Sequence, residues 1–212
     1  MALAMLEVAI LARAPVPGFA KTRLIPALGL DGAAHLQRRL MERAVRTAIE
    51  ARIGPVTLWC TPDAEHEAFA AIAARFDLTL AVQAPGDLGD RMLAGFAAAS
   101  PHGAVLIGTD CPALDARDLR DAADLLADGA EVVIAPVEDG GYGLVAAWKP
   151  LPVLFREMPW STPWVASLTR ERAAAAQLKL AELRTLWDVD TPADYRRLVE
   201  AGLLWNERVV MG

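Results

Sequence analysis

The sequence predicts an α/β fold, a three-layer α/β/α sandwich with a mostly parallel central sheet. Two observations predict it. Strand-length apolar runs alternate with amphipathic helical stretches nearly from end to end, and the turns that follow the strands carry the polar residues. A third observation points to a site. Residues 101–112, PHGAVLIGTDCP, run an apolar strand into a tight turn that delivers one acid, Asp110. In open parallel sheets ligands bind just beyond the carboxyl ends of the strands, so Asp110 is expected where a ligand sits.

The elements follow in order. Leu6 to Ala12 reads as a central strand. Residues 31–52 place Leu36, Leu40, Ala44 and Ala48 on one face, beside Met41, Val45 and Ile49, and place Arg38, Arg39, Glu42, Arg43 and Arg46 on the other. That spacing predicts an amphipathic helix. Val56 to Cys60 is expected as a strand, Asp63 to Arg75 as a helix, Leu78 to Val82 as a strand, Asp87 to Ala99 as a helix and Ala104 to Thr109 as a strand. A helix over 115–128 has Asp115 as its N-cap and Gly129 beyond its end. Strands at Glu131 to Pro136 and Tyr142 to Ala147 precede a helix around 163–176 and a strand around 178–183. The last helix opens on Thr191-Pro192-Ala193-Asp194, a cap followed by a first-turn proline and an early acid, and Gly202 ends it.

At 212 residues the chain suits a single domain spanning 1–212, large enough for one substantial core. Apolar residues make up 54% and charged residues 23%, a globular composition, and the net charge of −6 argues against nucleic acid as a partner. An anionic ligand must then be held by a local basic patch rather than by the field of the whole molecule. Cys60 and Cys111 are far apart and lack zinc-site spacing, which suits free thiols in a reducing cytosol. The apolar start, MALAMLEVAILARA, has no Lys or Arg before it and is interrupted by Glu7, so it reads as a buried strand rather than a signal peptide. No run approaches the length of a membrane span, and the expected location is cytoplasmic, with no membrane partner.

Residues 13–26, directly after the first strand, hold Arg13, Lys21 and Arg23 and no acid. Ala20 stands where a Walker A loop needs glycine, and no GxGxxG occurs, so neither phosphate-binding fingerprint applies. What remains is a cationic loop in which Gly18 gives the backbone freedom to wrap a ligand, the arginines grip phosphate in a fork and Lys21 supplies a point charge. Asp188 and Asp190, two apart in an extended segment, point the same way. With Asp110 they would form a carboxylate cluster whose repulsion, roughly 4 kcal/mol per pair at about 4 Å and an effective dielectric near 20, calls for a proton or a cation. Hard oxygen donors suit magnesium or manganese. A capping role for Asp190 is the alternative.

Residues 138–143, Glu-Asp-Gly-Gly-Tyr-Gly, form a second strand-end loop. Asp139 is placed to orient an acceptor hydroxyl or act as its base, with Gly140, Gly141 and Tyr142 in close approach to the ligand, while a plain hairpin turn would explain the glycines equally. The polar turn 86–91 opens a helix, with Asp87 as cap and Asp90 as a candidate substrate contact. Trp160 and Trp164 flank Ser161-Thr162-Pro163, and Trp160 is a candidate for stacking on a sugar or base. His35, His66 and His102 show no ligand spacing and are expected as surface residues.

The segments ARAPVPGFAKTRLIPALG, GDLGDRM, IGTDCPAL, EDGGYGLVA and WDVDTPADY, spread from residue 12 to 195, together resemble a bacterial family assigned as glycosyltransferases. That family has the glycosyltransferase-A, or nucleotide-diphospho-sugar transferase, fold and includes members linked to arsenosugar biosynthesis. The resemblance implies a nucleotide-sugar donor, a small-molecule acceptor, and Asp110 at the place of the metal-binding acid. The same fold carries nucleotidyltransferases, which Arg23-Leu24-Ile25-Pro26 and Asp188-Val189-Asp190-Thr191-Pro192 also resemble. Their glycine-rich GGxGxR start is absent here, as is the Asp-x-Asp of many glycosyltransferases, since Thr109-Asp110-Cys111 stands in its place. Three functions are therefore carried forward. In the first, a glycosyltransferase, Arg13, Lys21 and Arg23 hold the donor diphosphate, Asp110 with Asp190 or Asp188 holds a divalent cation, and Asp139 meets the acceptor, with Asp139 and Asp188 as the candidate catalytic residues. The others are a nucleotidyltransferase releasing pyrophosphate and a non-catalytic sugar-nucleotide binder.

Overall fold

A computed structural model of the chain describes residues 5–99 and 101–203. Strands β1 (Glu7–Arg13), β2 (Val56–Thr61), β3 (Thr79–Val82), β4 (Ala104–Ile107), β5 (Val132–Pro136), β6 (Tyr142–Ala147) and β7 (Leu180–Glu182) form one sheet in the order β3-β2-β1-β4-β6-β5-β7. All neighbouring pairs are parallel except those of β6, which runs antiparallel to both β4 and β5. The mostly parallel sheet is as the alternating pattern predicts, and helices cover both of its faces.

Period-two alternation decides which helix meets which strand residue. Val8 and Ile10 of β1, with Leu58, Val105, Ile107 and Val133, pack against Met41 and Val45 of α1 (Ile25–Ala51), Phe69 and Ile72 of α2 (Glu67–Phe76) and Leu119 and Leu126 of α4 (Ala116–Ala127). The intervening residues Ala9, Leu106, Ile134 and Val145 face the other way. They meet Met92 and Phe96 of α3 (Leu88–Ala98), Phe155 of α5 (Pro152–Phe155) and Ala173 of α6 (Val165–Ala175). Phe96 and Phe155 stack with ring centroids 5.9 Å apart. Each such large side chain, fully buried, contributes about 2 kcal/mol of hydrophobic stabilisation. A smaller cluster of Leu24, Leu36, Leu40, Val189 and Leu198 seats α7 (Pro192–Glu200) against α1. Among the described residues no helix is long and apolar enough to cross a membrane.

Several details differ from the sequence expectation. The first long helix starts at Ile25, not 31, because Pro26 is tolerated in a first turn and Gly29, with φ 73° and ψ 172°, joins that turn to the main helix across a kink. The expected helix from Asp63 begins only at Glu67, where the His66 ring accepts a hydrogen bond from Ala68 N at 3.2 Å, so His66 is a cap rather than an idle surface residue. The short α5 was not foreseen, since four residues carry no readable periodicity. Both cysteines are free thiols, as expected.

Asp115 caps α4 in a reciprocal box with Asp118, whose carboxylate is 6% exposed and takes a fork of two 2.8 Å bonds from Arg184. Removing the guanidinium strands that buried carboxylate. Arg184→Met should therefore lower unfolding free energy by about 2 kcal/mol, below the usual cost of breaking a buried pair because Arg184 is half in solvent, and urea denaturation would read it.

Candidate functional site

The carboxyl ends of β1, β2 and β4 and the start of β6 surround a cavity of about 590 Å³, lined among others by Arg13, Thr61, Gly108 to Cys111 and Tyr142. It lies on the sheet edge that the open parallel topology assigns to ligands.

Its polar end is built around Lys21. This residue holds a left-handed backbone, φ 48° and ψ 45°, which costs a non-glycine residue about 1 kcal/mol and marks a site held by its surroundings. The side chain is 5% exposed. Its ammonium lies 2.8 Å from Asp110 Oδ1 and 3.2 Å from Asp190 Oδ1, and donates to Val189 O at 2.7 Å. Burial works against the ammonium, but the Asp110 and Asp190 carboxylates outweigh it and hold the Lys21 pKa above the ordinary lysine value. Arg23 Nη1 reaches the other Asp190 oxygen at 3.3 Å. Segments from the first loop, the end of β4 and the approach to α7 thus meet at one point, and the cation that balances the two carboxylates is the chain's own.

Sequence geometry explains why Asp190 is available. Thr191, not Asp190, caps α7, in a reciprocal box with Asp194. Asp188 and Asp190 both line the cavity, while Val189 between them is fully buried and its N–H donates to Asp110 O at 3.0 Å. Burial, then the neighbouring carboxylates Asp139, Asp190 and Asp110, push the Asp188 pKa up to about 6. Asp139 also lines the cavity and accepts Gly141 N at 2.8 Å. Burial first, then the acids Asp110, Asp188 and Asp139, push the Cys111 thiol up, so it stays neutral.

Other sequence candidates fall differently. Arg13, Gly141, Tyr142 and Trp160 line the cavity, with Trp160 edge-on to Tyr142 at 6.4 Å between centroids. Gly18, Asp90 and Gly140 are outside the lining. The Asp90 carboxylate is spent on Asp87 N in the cap of α3. The close approach at Gly140 is to protein: a Cβ there would stand 2.1 Å from Pro163 O. The loop 138–143 is a hairpin turn joining β5 to antiparallel β6, and it also delivers Asp139.

Gln37, Thr109, Gln83 and Arg91 are among the lining residues that escaped the sequence reading. Gln37, buried on α1, donates to Thr109 Oγ1 at 3.2 Å, and Thr109 in turn donates to Asp110 Oδ1 at 3.3 Å, so both position the acid. Gln83 donates to Ala12 O and Trp59 O, tying the ends of β1 and β2, and accepts from Arg91 at 3.3 Å. A polar residue on an amphipathic helix reads as solvent-facing by type, and the signal that places Gln37 inward is its helical spacing from Ala33, Leu40 and Met41.

A divalent ion fits the chemistry of this end. Magnesium is commonly held by one or two carboxylates completed by substrate phosphates. Asp110 and Asp190 supply two converging carboxylates, although among the described residues no group of three acids, histidines or cysteines converges on a metal position.

The model of the family DUF2064, described as an uncharacterized protein conserved in bacteria, matches residues 41–162, more than half of the chain. The chain belongs to this family. The DUF2064 match takes in Arg91, Asp110, the 138–143 loop and Trp160, and leaves Lys21, Arg23, Asp188 and Asp190 outside it. No curated protein matches the chain. Among solved structures, this DUF2064 member is similar to a protein from Desulfovibrio desulfuricans G20, a nucleotide-diphospho-sugar transferase by assignment. The two share 27% identity over 95% of this chain and 88% of that one, at a TM-score of 0.82. A cytidylyltransferase from Leptospira borgpetersenii serovar Hardjo-bovis shares the fold at 18% identity, covering 92% of this chain and 84% of that one, with a TM-score of 0.59. Glucosyl-3-phosphoglycerate synthase from Mycobacterium tuberculosis, solved with manganese and uridine diphosphate, shares it at 11% identity, covering 94% and 77%, with a TM-score of 0.55. The fold is thus that of the nucleotide-diphospho-sugar transferases.

Proposed function

We propose that the protein is a transferase of the glycosyltransferase kind, moving a sugar from a nucleotide-diphosphate donor to a small-molecule acceptor with help from a divalent cation. The observation that carries this reading is the meeting of Lys21, Arg23, Asp110 and Asp190 at the rim of a substrate-sized cavity. Lys21, Arg23 and Arg13 supply positive charge for the donor diphosphate. Magnesium or manganese held by Asp110 and Asp190 would add charge to neutralise the departing nucleoside diphosphate. The acceptor hydroxyl oxygen forms a bond to the sugar's anomeric carbon as the bond from that carbon to the diphosphate oxygen breaks, and the hydroxyl proton passes to Asp188 or Asp139. Asp188, with its pKa pushed up to about 6, binds a proton more readily than an ordinary aspartate, which suits a base. Most of the acceleration in such a site comes from positioning and charge stabilisation.

A second reading, nucleotidyl transfer, is favoured by the placement of a cationic loop directly between β1 and α1, where it can hold a triphosphate, and by the fold shared with the cytidylyltransferase. Incubation of the protein with sugar nucleotides and with nucleoside triphosphates plus manganese separates them. Nucleoside diphosphate released from sugar nucleotides supports glycosyl transfer, and pyrophosphate released from triphosphates supports the second reading. Tight binding without either product would leave a sugar-nucleotide binder.

A further inference from the structure

The α3-side end of the cavity is made differently from the Lys21 cluster. Leu11, Met92, Leu106 and Val145 line it on the α3 side of the sheet, beside the edge-on pair of Tyr142 and Trp160. Within this apolar surround three buried side-chain polar atoms have no partner, Tyr142 Oη among them. Arg91 Nε and Trp160 Nε1 are both buried and both unpartnered, although their residues line the cavity. A buried donor without an acceptor costs about 1–3 kcal/mol, so such groups in a cavity wall mark where a ligand supplies the missing acceptor. Arg91 is not free to turn elsewhere. Its Nη1 donates to Gln83 Oε1, and Gln83 is itself fixed by Ala12 O and Trp59 O at the ends of β1 and β2. Lys21 and Arg23 are engaged by carboxylates, whereas the Arg91 guanidinium donates to the neutral Gln83 amide.

We propose that this end is a subsite for an anionic head group, a carboxylate or phosphate, of the second substrate, with Arg91 Nε and Trp160 Nε1 as its donors. The apolar residues beneath would hold the carbon skeleton of the same molecule. The inference deepens the transferase reading and rests on it in one respect: it makes the occupant the acceptor rather than the nucleotide.

The test uses the full chain with its tryptophan indoles labelled with 15N. Phenyl phosphate and benzoate serve as anionic probes, and benzyl alcohol as the neutral control. Either anion should shift the indole N–H resonance that is lost in Trp160→Phe. It should leave the Trp59 indole, buried and unpartnered but outside the cavity lining, in place. The tighter of the two anions identifies the head group. Arg91→Gln should weaken the anion about tenfold, the scale of one charge-assisted hydrogen bond, and Arg91→Lys by less. Should Arg91→Gln melt well below the wild type, Trp160→Phe carries the test, with a loss of about threefold expected for one neutral donor. Equal affinity in the variants, no binding of either anion, or an equal response to benzyl alcohol would overturn the proposal. Displacement of phenyl phosphate by a nucleoside diphosphate would overturn it too, since the anion would then occupy the nucleotide's place. If phenyl phosphate binds as expected while nucleoside diphosphate does not bind at all, the subsite stands and the nucleotide reading fails.

Discussion

Asp188→Asn should make the protein more stable at neutral pH while removing most of its turnover. Burial and the acids around it raise the folded-state pKa of Asp188 from 3.8 to about 6, so the folded chain binds this proton more tightly than the unfolded chain does. Stability is therefore lost as pH rises from about 4 to about 6 and stays lower above that window. A neutral amide escapes this penalty. Measured by thermal or urea unfolding with EDTA present, the variant should exceed the wild type by roughly 1 kcal/mol at pH 7.5, a figure discounted because Asp188 is half-buried and screened by solvent. At pH 4 the two should be equal. Transfer activity should fall about 100-fold, the usual contribution of a positioned base. Opposite movements of stability and activity distinguish a working group from a structural one.

Lys21→Met should do the reverse on stability and should also cost function. The ammonium is nearly inaccessible, and its removal leaves Asp110 and Asp190 facing each other with Arg23 alone between them and solvent. The side chains of those acids are 48% and 40% exposed, so they rehydrate in part, and the expected destabilisation is about 2 kcal/mol rather than the larger cost of breaking a fully buried pair. Urea unfolding at pH 7.5 checks it. Nucleoside diphosphate affinity should fall at least about tenfold, through loss of a charge-assisted contact. Magnesium or manganese should recover some of the lost stability, because a cation can take over the balancing charge between the two acids.

Much of this fold can be read from the chain because its central strands are buried on both faces. Runs such as Ala104 to Ile107 and Val132 to Pro136 then appear as unbroken apolar stretches between capped helices. The reversed strand β6 is also legible in principle, since the connection from Pro136 to Tyr142 is far too short for a parallel crossover. The acids of the site were readable for a local reason: each follows a strand or precedes a capped helix, where side chains face the ligand edge. What could not be read was their partner. Lys21 is a loop cation by sequence, and only the left-handed turn at that residue and the fold of the distant 187–190 segment bring its ammonium between Asp110 and Asp190. Gln37 and Arg91 were hidden for another reason. Both are polar side chains on amphipathic helices, where residue type points to solvent even though Gln37 shares the helix face of buried Ala33, Leu40 and Met41.

On the transferase reading, a nucleotide diphosphate and its cation bind at the cluster of Lys21, Asp110 and Asp190. Calorimetric titration of a nucleoside diphosphate with manganese into the wild type and into Asp110→Asn tests it most directly. Binding should be saturable and manganese-dependent in the wild type and at least about tenfold weaker in the variant, through loss of a charged ligand. Binding of equal strength in both proteins, with or without manganese, would contradict it.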